Sequence, residues 1–166
     1  MVTAVAESLV EAAKANDLNR IGAILAEDPG IARTPEGTAA LYAAAMAGNK
    51  DIVTYLLKKD ARIDFFTAAA LGRSWEVRSG LASNRDLAWR FTDDGYSALQ
   101  LGAMFGHAEV VGIMIRGISE INVKTRDDTK STALHLAARN GNVRVAEQLI
   151  AAGGEINGKD GANKTP

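Results

Sequence analysis

Cysteine is absent from this chain of 166 residues, so no disulfide can form and no thiolate is available for catalysis or metal binding. Aromatic residues make up 5% of the chain, and only three prolines interrupt it. No apolar run is long enough to cross a bilayer, and residues 1–10 lack the basic start and apolar stretch of a signal peptide. The lack of cysteine does not fix the compartment. The lack of targeting or membrane segments favours a cytoplasmic protein.

A dominant charge of either sign is also missing. The chain has 19 lysines and arginines against 20 aspartates and glutamates, and the net charge is −1. The basic residues are scattered and do not form a stripe interleaved with aromatic residues, which is the pattern expected of a groove for single-stranded nucleic acid. We therefore expect no nucleic-acid partner and no attraction to an acidic membrane.

What the chain does contain is a repeat. One residue, usually glycine, marks each copy, at intervals of 32, 24, 34 and 35 residues. Before each marker lie small residues, mostly alanine, which suit a short helix in close contact with its neighbours. After it, apolar residues tend to recur at the spacing of one helix face. Each copy therefore predicts a helix, a tight turn, a second helix and a loop, with these markers: Asn16, Gly48, Gly72, Gly106 and Gly141.

The best copy resembles an ankyrin repeat. Residues 132–138 spell Thr-Ala-Leu-His-Leu-Ala-Ala, and Gly141 follows, so the family's T-P-L-H-x-A-A pattern is matched except for Ala133 in the place of proline. Residues 94–111 give a second good copy and residues 37–64 a third. The resemblance covers nearly the whole chain. It implies an all-α ankyrin-repeat solenoid of stacked helix-turn-helix units with short hairpin loops, and it is the only reason to expect a bacterial source.

On this basis we expect one repeat domain over residues 1–166. Its units are approximately residues 5–33, 34–62, 63–91, 92–126 and 127–160, and residues 161–166 begin a further repeat. The loop around Asp60–Phe65 should be shortened, and Ser79 and Gly80 fall where the second helix of the third unit should be apolar. The third unit should therefore be the least stable. We expect Trp75 and Trp89 to compensate by packing into the core.

No catalytic or cofactor-binding constellation emerges. The two histidines fill structural positions of the repeat: His135 should support the turn before it through Thr132, and His107 lies in the turn between two helices. They are far apart and have no second ligand at metal spacing. Residues 153–160 resemble a phosphate-binding loop, but Asp160 stands where the loop needs Ser or Thr. We expect no enzyme activity, no metal and no cofactor.

The resemblance implies a protein-protein interaction module that binds its partner through the concave face, made of hairpin tips and first helices. The alternative is a regulatory or targeting segment of a larger protein that carries an enzyme domain elsewhere. Tyr96, Met104 and Phe105 could form an open apolar hot spot, or Phe105 could fold down over the neighbouring turn. The candidate protein-binding residues are Met46, Asp93, Asp94, Tyr96, Met104, Phe105, Asp128, Arg139 and Asn140.

The two ends of the repeat array differ in polarity. The first unit carries the polar residues Glu7, Glu11, Lys14 and Asp17, as an N-terminal cap should. In the last full unit we expect Val145, Leu149 and Ile150 to be buried, while the side that would face a further repeat stays partly apolar. We therefore expect either a longer native chain or self-association through the C-terminal end.

Overall fold

The computed structural model describes residues 9–118 and 120–166, and every regular element in these ranges is a helix. The predicted all-α fold of helix-turn-helix units is confirmed. In the described part the helices form five consecutive pairs: α1 (residues 9–14) with α2 (Leu18–Glu27), α3 (Pro35–Met46) with α4 (Lys50–Lys58), α5 (Phe65–Leu71) with α6 (Ser74–Ser83), α7 (Ala98–Met104) with α8 (Ala108–Gly117), and α9 (Ala133–Arg139) with α10 (Val143–Ala151).

The turn inside each pair contains the repeat marker in the left-handed backbone conformation. All five markers have φ angles between 59° and 76°, a region that glycine enters without steric cost and that asparagine tolerates better than most residues. The prediction of a tight turn at these positions is therefore confirmed. The markers are Asn16, Gly48, Gly72, Gly106 and Gly141.

The chain divides into two compact units, Met1–Thr67 and Ala68–Pro166, and the boundary falls inside α5. The first unit has a core of large residues on α1 to α4, with alanines between them that let the helices approach closely. Its fully buried large side chains are Leu9, Ile21, Leu41, Ile52 and Leu56.

In the second unit, α7 packs against both α8 and α9, and α10 packs against α8 and α9. The first helices of neighbouring pairs are thus in contact, and so are the second helices. This is nearest-neighbour stacking, in which each pair completes the core of the next. The largest buried side chains of this unit are Val77, Gln100, Leu101, Val110, Met114, Leu136 and Leu149.

The third pair has the expected short connection and the expected small buried face on α6, but its tryptophans are not in the core. The connection from α4 to α5 is short, and α6 includes Ser79 and Gly80 and buries only Val77. The prediction that both tryptophans are core residues is wrong, because Trp75 is 73% exposed and Trp89 is 46% exposed. Trp75 precedes Val77 by two residues, which places it about 200° away around the helix. Trp89 ends a short 3-10 helix, Arg85–Trp89.

The last pair shows the predicted apolar surface, with one correction. Val145 and Leu149 are buried as expected, but Ile150 is 49% exposed because it lies about 100° around α10 from Leu149. Val143 and Ile156 are exposed as well. At the other end Glu11, Lys14 and Asp17 are exposed as predicted, whereas Glu7 lies outside the described residues.

Candidate protein-interaction site

Each of α7 and α9 starts at a hydroxyl residue that closes the preceding hairpin turn. The side chain of Ser97 accepts a hydrogen bond from the backbone N–H of Gln100, and the Gln100 side chain accepts one from the N–H of Ser97 at 2.8 Å. Thr132 and His135 form the same reciprocal cap on α9. The caps satisfy N–H groups that a helix start leaves without partners, and they fix how the chain enters each first helix.

His135 and Gln100 also tie their helices to the loop that follows in the next repeat. Nδ1 of His135 lies 2.8 Å from the hydroxyl of Thr132, and Nε2 lies 3.0 Å from the carbonyl oxygen of Lys164. Nε2 of Gln100 donates to the carbonyl of Val123 at 2.9 Å. The predicted structural role of His135 is confirmed, and Gln100 has the same role one repeat earlier.

His107 and Asn142 make the opposite connection, back to the preceding repeat. Nε2 of His107 lies 2.8 Å from the carbonyl oxygen of Ala70. Nδ2 of Asn142 donates to the carbonyls of Ala103 and Met104, both at 2.9 Å. Both positions follow a marker glycine directly and bind carbonyl groups at the end of the previous first helix. His107 therefore occupies the structural position that the repeat predicts.

Asp127 organises the turn before α9. Its Oδ1 accepts hydrogen bonds from the hydroxyls of Thr125 at 2.6 Å and Thr129 at 2.7 Å, and Oδ2 accepts one from the hydroxyl of Tyr96 at 3.0 Å. Burial by itself raises the pKa of Asp127, but these hydrogen bonds stabilise the charged form more, so the pKa lies below its ordinary value. Tyr96 is thereby held against the neighbouring repeat.

The pKa of Tyr96 shifts in the opposite direction. Burial raises it most, and the hydrogen bond to Asp127 and the negative charges of Asp127 and Asp94 raise it further, while the charge of Arg139 lowers it. The phenol is therefore a neutral hydrogen-bonding group, fixed in position and half-exposed.

Arg139 ends α9 and reaches back over the same turn. Its Nη2 donates to the hydroxyl of Ser131 at 3.1 Å and lies 3.8 Å from Oδ2 of Asp160, and its side chain remains 51% exposed. The pKa of Asp160 is lowered, mainly by the hydrogen bond from the backbone N–H of Lys164. Tyr96 and Arg139 thus come from successive repeats and are both held by polar contacts at the hairpin turns.

The other candidate residues are placed as follows. Asp93, Asp94 and Asp128 are exposed at the turns, and none of their side chains has a hydrogen-bond or ion-pair partner within the described ranges. Asn140 is exposed, with its amide donating to the carbonyl of Leu136 at 2.8 Å.

The apolar candidates are less open than a hot spot would need. Met104 and Phe105 are only half-exposed, and the Phe105 ring lies 6.4 Å from the ring of His107. Met46 is half-exposed at the end of α3, in the first unit.

Phe91 and Arg126, which the sequence did not indicate, add to the candidate residues at the hairpin turns. The guanidinium of Arg126 stacks on the ring of Phe91, 4.0 Å from its centroid, and Trp89 beside Phe91 is 46% exposed. Phe91 and Arg126 occupy similar places in successive repeats, so comparing positions one repeat apart could have paired them. An exposed aromatic residue and a stacked arginine are the residue types most often found at interface hot spots.

The described residues hold no group of three or more His, Asp or Glu side chains placed to bind a metal ion. None of the helices found in this part of the chain is long and apolar enough to span a membrane.

Comparison with known families matches residues 65–160 to ankyrin repeats in three copies, and residues 36–67 to a single ankyrin repeat. The first match alone covers more than half of the chain. Among curated proteins, alpha-latroinsectotoxin-Lt1a of Latrodectus tredecimguttatus is 35% identical over 66 residues, which is 40% of this chain and 5% of the toxin. The chain therefore spans only a small part of the length of this relative.

Proposed function

Because the chain belongs to the ankyrin repeat family, whose members are generally protein-protein interaction modules and typically non-catalytic, we propose that it binds a partner protein and carries out no chemistry itself. The binding surface that we propose is the concave face in the second unit. It consists of the hairpin turns before α7 and α9 and the ends of these two helices.

The observation that supports this surface best is the pair Tyr96 and Arg139. Tyrosine and arginine are enriched among the residues that dominate binding energy, and both side chains here remain partly exposed. Their hydrogen bonds to Asp127 and Ser131 hold them in place before any partner arrives. A side chain that is already ordered loses less conformational entropy on binding, so more of its contact energy contributes to affinity.

The charge around this pair indicates the chemistry of the partner. Asp93, Asp94 and Asp128 are exposed carboxylates, and within the described ranges they have no side-chain partner. A partner with basic groups opposite these turns would be attracted and oriented by them. We therefore expect a lysine- or arginine-bearing surface on the partner, and an association rate that falls as salt is added.

The alternative function is a regulatory or targeting segment within a larger protein. It is supported by the match to the toxin, in which the similar segment is 5% of a much longer chain. The mass of the native gene product distinguishes the two possibilities: a product near 17.5 kDa supports a free-standing module, and a much larger one supports the alternative.

The test is quantitative capture from a lysate of the source organism, followed by measurement of affinity for the purified partner. The surface variant combines Tyr96→Ala, Met104→Ala and Phe105→Ser, and a second variant changes Arg139→Ala alone. We expect the triple variant to weaken binding at least about tenfold, since hot-spot truncations cost about 2 kcal/mol or more. Arg139→Ala should also weaken binding.

Controls separate loss of contact from loss of folding. Lys58→Ala with Glu147→Ala changes two exposed residues on second helices and should leave binding unchanged. The helical signal and the melting temperature of each variant are measured alongside. Unaltered affinity in the triple variant would remove these residues from the interface, and a collapsed melting temperature would show that they are core.

A further inference from the structure

A cleft in the second unit is lined by none of the residues assigned to the Tyr96–Arg139 surface. It is formed by the end of α6, the short 3-10 helix Arg85–Trp89 and the end of α8, and it encloses about 260 Å³. Its lining combines two guanidinium groups with small or apolar residues. The lining residues are Leu81, Ala82, Arg85, Ala88, Arg116 and Gly117.

The two arginines lack the neutralising contacts that surface arginines commonly have. In the described part of the chain the side chains of Arg85 and Arg116 have no ion-pair or hydrogen-bond partner, and no carboxylate lines the cleft. Arg85 and Arg116 are exposed, as are Ala82 and Gly117, so the cleft is open to a ligand from solution. The cleft therefore presents two positive charges with unused hydrogen-bond donors.

The pair, and not either arginine alone, requires an explanation. Arg116 lies in the last turn of α8, where any cation interacts favourably with the carbonyl end of the helix. That effect accounts for Arg116, but not for Arg85, which starts a separate 3-10 helix and faces the same space. The carbonyl end of α8 also weakens anion binding somewhat, so two charges are needed where one would otherwise be enough.

We propose that this cleft binds a phosphate monoester group, presented by a phosphorylated serine or threonine side chain of a protein. A phosphate group carries nearly two negative charges at neutral pH and three acceptor oxygens, which match two guanidinium forks better than one carboxylate does. The volume suits a small group and not a large ligand. Gly117 lines the cleft, and a Cβ built there would make an ordinary van der Waals contact with Cδ1 of Leu81 at 3.8 Å, so a side chain larger than alanine at this position would take up part of the cleft.

The test uses the full chain and a five-residue peptide of alanine and glycine around a central phosphoserine. Binding is followed by the amide NMR signals of Ala82, Ala88 and Gly117, up to about 5 mM peptide, which is well above the dissociation constant of a site with a Kd of about 1 mM. We expect saturable shifts of these signals with the phosphopeptide. The same peptide with serine should give none, and the same peptide with glutamate should bind at least about tenfold more weakly.

Two sets of variants locate the site. Arg85→Gln and Arg116→Gln should each weaken binding at least about tenfold, because each removes charge-assisted hydrogen bonds. Gly117→Leu keeps both charges but fills the cleft, and it should abolish the shifts. The matched controls are the single variants Arg78→Gln and Arg144→Gln, each of which removes one charge from an exposed position outside the lining and should bind as the wild type does.

Several results would overturn the proposal. These are the absence of saturable shifts at the cleft amides, unchanged binding by both single arginine variants, or equal affinity for the glutamate peptide. Inorganic phosphate that binds as tightly as the phosphopeptide would also overturn it, since the site would then recognise a free anion. The experiment needs no native partner, so its failure leaves the function proposed for the Tyr96–Arg139 surface untouched.

Discussion

Asp127 shows how much of this fold depends on single polar side chains at the turns. Its carboxylate accepts hydrogen bonds from Thr125, Thr129 and Tyr96, and so links a turn to the preceding repeat. Hydrogen bonds to a charged acceptor contribute more than those between neutral groups. Two consequences at this turn can be measured, one in the side chain of Asp127 and one in the backbone of Lys130.

The first is a pH dependence of stability. Because the pKa of Asp127 is lower in the folded chain, ionised Asp127 stabilises the fold above the ordinary carboxyl pKa of 3.8, and this contribution is lost as pH falls through the lower folded pKa. We expect Asp127→Asn to reduce the melting temperature most near pH 7, and the difference from the wild type to shrink below pH 3.8. Thermal melts of both proteins across this range provide the measurement. A constant difference down to the most acidic sample would contradict the role of the charge.

The second measurable consequence at this turn is backbone strain at Lys130. Lys130 has φ +46°, in the left-handed region, where the turn of the preceding repeat has Gly95 at φ +87°. We expect Lys130→Gly to stabilise the chain by roughly 0.5 kcal/mol, because relief of about 1 kcal/mol of strain exceeds the extra freedom that glycine gives the unfolded chain. Gly95→Ala should act oppositely, since its Cβ would lie 2.8 Å from the backbone N of Asp127. Chemical denaturation measures both, and a less stable Lys130→Gly variant would refute the account.

At the scale of helices, the sequence predicted which elements form because the copies share the same marker position and a similar spacing of apolar residues. The marker residues predicted the turns, and the apolar spacing predicted the second helices, including Ile52 and Leu56 on α4. Burial at the edges of these faces was not predictable. Trp75 and Ile150 are apolar, yet each is rotated away from the buried face of its helix, and only the neighbouring helices decide how wide that face is.

At the proposed binding surface, too, the sequence predicted positions in the repeat but not the contacts between repeats. Asp93, Asp94 and Asp128 were candidates because they lie at hairpin turns, and all three are exposed. The contact of Tyr96 with Asp127 could not be predicted, because these residues lie 31 positions apart and meet only when two repeats stack. Met104 and Phe105 are half-exposed for the same reason: how far they are covered depends on the neighbouring turn.

Helix α6 is expected to be the least protected of the long helices in the second unit. It buries only Val77, whereas α8 buries Val110, Val111, Ile113 and Met114. Fewer buried contacts lower the free energy needed to open the helix locally. Native-state hydrogen exchange should show faster exchange in α6 than in α8. Slower exchange in α6 than in α8 would show that the exposed Trp75 stabilises it in a way that burial does not reveal.

At the scale of the whole molecule, the exposed apolar residues on and after α10 predict self-association. Val143, Ile150 and Ile156 are exposed side chains of a kind that repeat proteins usually cover. We expect sedimentation to show concentration-dependent association of this chain, and Val143→Lys with Ile150→Lys to reduce it. Glu147→Lys, at an exposed position on the same helix, is the control for added charge. A wild-type chain that stays monomeric at every concentration would refute this use of the surface.

The central claim, that this chain binds a protein through its hairpin turns and first helices, is tested most directly by hydrogen-exchange footprinting of the complex with the captured partner. On binding, we expect slower exchange at residues 93–97, at residues 126–131 and at residues 139–141. We expect no change along α8 and α10, which are the second helices of their pairs. Protection confined to α8 and α10, with the turns unaffected, would contradict it.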